Sequence, residues 1–159
     1  MRFGGAALDI NQYGNLSQLD INIKYAGGIV LNVTSGASFE RLGLTIEIGG
    51  VVASIDTQEL GRSCRIETDI TMGGVFLAVQ VNSASVGASL DADVDTGSIT
   101  VNHSDFQGQG STTHYSGRTT GYADATNKLD IQATIGAGGS TLQRQSLTSG
   151  FPWFGQTTV

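Results

Sequence analysis

Proline, cysteine and lysine are nearly missing from this chain: its 159 residues include one Pro, one Cys and two Lys, Lys24 and Lys128. With so little Pro, a collagen-like or polyproline assembly is excluded despite 23 Gly. A single Cys64 rules out an internal disulfide, and its alternation with Ile66, Thr68 and Ile70 reads as a small buried core residue rather than a reactive thiol. Few lysines and a net charge of −6 would repel a phosphate backbone, so nucleic acid is not an expected partner, and docking on anionic lipid is disfavoured too. Long apolar runs are missing: GGVFLAVQV at 73–81 falls well short of the roughly 20 residues needed to cross a bilayer. The opening MRFGGAALDINQ has no apolar core of ~7–15 residues, so no signal peptide is visible, and any membrane attachment would need a segment absent from this chain. Helix signals are scarce as well, the best being the short TQELGRS at 57–63.

What the chain does contain is one plan written several times. LDINIKYAGGIVLNV (19–33), LTIEIGGVVASI (44–55), IETDITMGGVFLAV (66–79), LDADVDTGSITV (90–101) and LDIQATIGAGGSTL (129–142) each join two alternating strands through a Gly hinge. Period-two alternation of apolar and polar residues marks strands with one buried face. The hinges Gly28, Gly50, Gly74 and Gly97 lie 22, 24 and 23 residues apart; Gly97 to Gly139 is 42, with Gly117 placed where an intervening hinge would fall. Self-similarity at such a period predicts stacked repeats. The expected fold is therefore an all-β solenoid of about seven coils over residues 1–150, with an aromatic tail or cap at 151–159. An antiparallel β-sandwich with evenly spaced hairpins is the alternative.

The stretch GYADATNKLDIQATIGAGGSTL (121–142), preceded by DTGSITVNHSDF (95–106), resembles the repeat of bacterial toast-rack and adhesin-like β-solenoid domains, as in LiaF-like and PspC-like envelope-stress proteins. Tyr122, Ala125, Leu129, Asp130, Ile131, Gly136, Ala137 and Gly138 occupy the places of that pattern, and LSQLDINIKYAGGIVLNV at 16–33 is similar to its opening strand. Residues 44–79 depart from it in having a Gly-Gly hinge. The resemblance implies a non-enzymatic module of the cell envelope or another extracytoplasmic setting. There, usually tied to a membrane segment, it would bind a protein partner or sense envelope stress, with no catalytic residues to carry over; self-association is a separate expectation. Three sequons, at Asn15, Asn32 and Asn102, are compatible with such a setting.

Candidate chemistry is thin. Asp91, Asp93 and Asp95 share one strand face, and in consecutive coils Glu67 and Asp69 would lie beside Asp91 and Asp93. Like carboxylates at that spacing repel, so this outward ladder is expected either to hold a weakly bound Ca²⁺ or to serve as a solvated face. It is not an EF-hand, because Asn102 stands where the bidentate Glu belongs. No other cofactor is expected. His103 and His114, with Asp105 between them, are read as surface-loop residues rather than metal ligands, because eleven residues of flexible loop separate the histidines. The tail residues Phe151, Trp153 and Phe154 are the expected interaction patch, or else the cap of the last coil; if they are the joint, the chain could instead be a subunit that assembles end to end into a filament or surface layer. A polysaccharide-active enzyme would need an acid/base pair in an aromatic-lined groove, which the sequence does not display.

Overall fold

The computed structural model describes residues 3–11, 15–57, 59–81 and 85–144. They form one eight-stranded sheet: β1 (Phe3–Ile10), β2 (Asn15–Val33), β3 (Ser38–Thr57), β4 (Cys64–Val81), β5 (Val86–Asn102), β6 (Phe106–Gly110), β7 (His114–Thr119) and β8 (Asn127–Arg144). The chain is all-β, and its long strands stack in parallel rows as in a solenoid.

Five of these strands run 17 to 20 residues, about three times an ordinary strand, because each bends in the middle. In β3 the first arm turns Leu42, Leu44 and Ile46 inward and the second arm turns Val51, Ala53 and Ile55 inward, all six buried in one core cluster. Parallel register then places like on like from row to row. The column Ile23–Ile46–Ile70–Ile135–Val94 crosses five rows, and Leu19–Leu42–Ile66–Ile131–Leu90 runs beside it. Each fully buried aliphatic side chain contributes about 1.5–3 kcal/mol relative to exposure, so these columns dominate the favourable side of folding.

The bend explains the glycines. Gly27, Gly49, Gly73, Gly138 and Gly97 occupy one register column, and the last four of them have φ between +138° and +145°. A Cβ on Gly73 would collide with the carbonyl oxygen of Gly49, and one on Gly138 with that of Gly73, so close backbone approach and positive φ both demand glycine there. The corner is thus the first glycine of each pair rather than Gly28, Gly50, Gly74 and Gly139, which fall one column further out beside Ser98. In β2 a bulge replaces it: the register slips between Ile23 and Ala26, and Tyr25 takes φ +81°.

The rows do not follow chain order. The sheet reads β1-β2-β3-β4-β8-β5-β7-β6, so β8 lies between β4 and β5. After β5 the chain reverses into the β6–β7 hairpin, β7 pairs antiparallel with Ser89–Asp93 of β5, and the return strand β8 fills the row left beside β4. The 42-residue interval from Gly97 to Gly139 is therefore a hairpin and a return, not two further coils. Gly117 is no hinge but sits in β7 opposite Leu90. Six parallel rows and a hairpin, among the described residues, stand where about seven coils were expected. The division of residues 1–150 from the tail meets no boundary here, because the tail lies outside the described residues.

Candidate functional site

The first arms present a charged outward face. Alternation sends Arg41, Arg65 and Glu67 away from the core; the register pairs Arg41 with Arg65 and Glu67 with Gly43, and both arginines reach Glu67: Arg41 Nε donates to it at 2.7 Å, Arg65 Nε lies 2.7 Å from its other oxygen, and Arg41 Nη1 reaches Asp20 at 3.2 Å. The Glu67 carboxylate, by hydrogen bond and charge, raises the Arg41 guanidinium above its already high ordinary value. The Asp20 carboxylate lies over Gly43, and beside it the face carries a shallow depression of about 440 Å³ lined in part by Asp20, Asn22, Thr45, Asp69 and Thr134.

The expected acidic ladder is not continuous. Since β8 intervenes, Glu67 pairs in register with Gln132 and Asp69 with Thr134, and only beyond them come Asp91 and Asp93. Glu67 is engaged by two arginines instead of facing a carboxylate, and Asp95 sits at the bend, where the register of β5 with β8 skips from Val94 to Thr96. The fold does unite Asp91, Asp93 and His114, whose ligand atoms lie within 4.8 Å of one another, all on exposed residues. His114 Nδ1 is 2.6 Å from Asp93 Oδ1, and that hydrogen bond and charge raise the imidazole above its ordinary value of 6.5. The pair ties β7 to β5.

His103 departs from the surface-loop reading. It is buried, its Nε2 lies 3.0 Å from the Val79 carbonyl and so carries the hydrogen, its Nδ1 accepts from the Asp105 amide at 3.3 Å, and its ring meets Phe106 edge-on. The signal was local, an aromatic three residues on. His103 and His114 are thus unrelated in role. Cys64 is buried as expected, and desolvation pushes its thiol up to about 12, leaving it protonated and unreactive at neutral pH. Tyr122, a residue of the resemblance, has a structural task. Its hydroxyl donates to Asp130 Oδ1 at 2.5 Å, Ser89 donates to the same oxygen, and Arg118 and Lys128 lie 4.9 and 5.0 Å from the ring centroid. Burial and that carboxylate raise the phenol above its usual range.

The second arms and the bend present a different face. Tyr25, Ile48 and Met72 at the bend and Val30 and Val52 on the second arm are exposed, Met72 to 54% and Ile48 to 50%. Ile48 and Met72 are register partners, as are Val30 and Val52, and the small column Gly28–Gly50–Gly74–Gly139 runs between them. Five large exposed apolar side chains thus lie on three adjacent rows, three at the bend and two on the second arm. Sequence reasoning passed over them, though the residue before each Gly pair (Ala26, Ile48, Met72) is apolar where alternation allows polar. Phe151, Trp153 and Phe154, the interaction residues expected from sequence, lie outside the described residues.

No protein-family model matches the chain, and no curated protein does. Among solved structures, the fold is similar to a crystal structure of a "putative cell adhesion protein" from Clostridium sporogenes, with a TM-score of 0.55 and 10% identity over 89% of this chain and 92% of that one. At this identity the likeness is one of fold.

Proposed function

We propose that this chain is a non-enzymatic interaction module of the bacterial cell envelope, adhesin-like in its contacts, and that the apolar bend and second-arm face are where a protein partner docks. The observation that carries the reading is that Tyr25, Val30, Ile48, Val52 and Met72 are all exposed on three adjacent rows of the sheet. A flat face without a deep cleft suits a macromolecule better than a small substrate. The name given to the Clostridium protein points the same way, as does the resemblance to toast-rack domains, which adds envelope-stress sensing as the setting. In this reading the module uses no cofactor.

The test is adhesion of the labelled chain to whole bacterial cells, with and without Ile48→Lys and Met72→Lys, two exposed positions where the change leaves the core intact. Loss of binding at an unchanged melting temperature supports the face as the docking surface; undiminished binding removes it. End-to-end assembly into a filament is the second reading, favoured by β1 being the terminal strand of the sheet, paired among the described residues with β2 alone. Light scattering that grows without limit as concentration rises would select it, whereas a monomer or small closed oligomer selects the module. Turnover of a glycan by the purified chain would overturn the non-enzymatic reading.

A further inference from the structure

Where the hairpin lies against β5, the antiparallel register adds a nitrogen ligand to a pair of carboxylates. Alternation points Asp91 and Asp93 outward from β5 and His114 and Ser116 outward from β7, with Asp93 opposite His114 and Asp91 opposite Ser116. Two carboxylates at i and i+2 on one strand and an imidazole on its neighbour thus share one face, their ligand atoms within 4.8 Å of one another. The turn before β7 fixes where His114 starts: Ser111 Oγ accepts from the Thr113 and His114 amides at 3.2 and 3.1 Å. Basic side chains that neutralise carboxylates elsewhere do not serve this spot. Asp20 and Glu67 pair with Arg41, Glu67 also with Arg65, and Glu40 with Arg62, whereas Asp91 has no ion pair among the described residues and Asp93 has His114 alone. Two negative charges on one strand face therefore meet at most one positive charge from the protein.

We propose that Asp91, Asp93 and His114 bind one divalent cation of zinc-like softness, and that the ion clamps the β6–β7 hairpin onto β5. The donor set chooses the metal. An imidazole nitrogen beside carboxylate oxygens suits a zinc-like ion, whereas Ca²⁺ and Mg²⁺ take oxygen ligands. The cation takes the place of the hydrogen between His114 Nδ1 and Asp93 Oδ1, which lie 2.6 Å apart, and the Asp91 carboxylate closes the third side. Metal–ligand bonds of ~2.0–2.2 Å at tetrahedral angles set ligand atoms ~3.4 Å apart, so binding widens the first contact and draws Asp91 in. Both are adjustments of exposed side chains over a backbone that the strand pairing holds. Two carboxylates cancel the charge of the ion, and water completes its coordination on the outer side. Glu67, Asp69 and Asp95 take no part. The site lies on β5 and β7, with β8 between it and β4, so it goes beyond the docking reading: the ion steadies the fold without entering that contact.

The test is calorimetric titration of Zn²⁺ into the full chain, prepared without a histidine tag. Assignment is simple because the chain has two histidines and one cysteine, and of these His103, with both ring nitrogens engaged, and Cys64 are buried. Saturable binding of one ion per chain is expected, with a rise in melting temperature and slower amide exchange over residues 114–119. His114→Gln and Asp91→Asn, both substitutions of exposed side chains, should each weaken it ~tenfold or more, since even an outer partner of a metal site is worth ~10–100-fold. Asp105→Asn, beside the buried histidine, should leave it unchanged, and Ca²⁺ should give no saturable heat. Absence of saturable Zn²⁺ binding up to ~1 mM, or binding that His114→Gln leaves intact, overturns the site. Ca²⁺ bound as tightly as Zn²⁺ would mean an acidic surface alone and overturns it too, while unchanged exchange over residues 114–119 at saturation overturns the clamp.

Discussion

At the β5 end of the stack Leu90, Ala92 and Val94 are buried beneath a hairpin; at the β2 end Leu19, Ile21 and Ile23, in the equivalent columns, are partly exposed. The closed end is fastened by main chain and side chain alike. Val94 and Ile99 donate to the carbonyls of Thr113 and Thr112 at 2.8 and 2.7 Å, Thr119 Oγ1 accepts from the Ala88 amide at 2.9 Å, and His114 meets Asp93. An exposed strand edge invites pairing, and the contrast is confined to the first arms: β7 covers Ser89–Asp93 of β5, whereas on the second arms β1 covers β2, and Ile99 and Val101 of β5 are only partly buried. What separates the ends is therefore not composition, since both carry the same aliphatic columns, but whether a strand lies over them.

The largest effect should come from the glycine column. Gly73→Ala in mid-stack is expected to destabilise the chain by at least ~3 kcal/mol, because it adds positive-φ strain to a backbone collision, while Gly4→Ala at the open end, with nothing near its Cβ position, should be close to neutral; urea unfolding of the two variants reads the contrast. Next, Ile70→Ala inside the column should lose about 2–5 kcal/mol and Ile23→Ala at the open end about 1 kcal/mol. Equal losses would mean that the open end is covered after all.

Much of this was legible in the sequence because it is local: alternation gave the arms, glycine pairs marked the bends, and Cys64 among Ile66 and Ile70 read as core. The row order was not legible. Gly138 aligns with Gly73 and Gly97 equally well, and which row β8 joins is decided by where the β6–β7 hairpin leaves an opening, a contact between segments some 60 residues apart. The expected adjacency of Glu67 and Asp69 to Asp91 and Asp93 was lost for that reason, with Gln132 and Thr134 interposed. The apolar face was missed because exposure cannot be told from burial by period two when both faces of an arm are apolar.

Two smaller effects sharpen the comparison. Ser140 stands in the second-arm column with Val75 and Ile99, and its buried hydroxyl has no hydrogen-bond partner; Ser140→Ala should gain about 1 kcal/mol in chemical denaturation, a mid-stack improvement that no open-end substitution would match. At the closed end, the raised His114 value means that its pairing with Asp93 stabilises the fold fully below pH 6.5 and fades as pH rises through the raised value. The melting temperature of the parent chain should therefore drop slightly relative to that of His114→Gln between about pH 5.5 and pH 8.5.

Amide hydrogen exchange of the native chain, resolved residue by residue, tests the unequal ends most directly. The account predicts slow exchange throughout residues 89–93 of β5, paired on both sides, and fast exchange at every second amide of residues 16–23 of β2, where one side has no partner among the described residues. Uniform protection along both arms would contradict it.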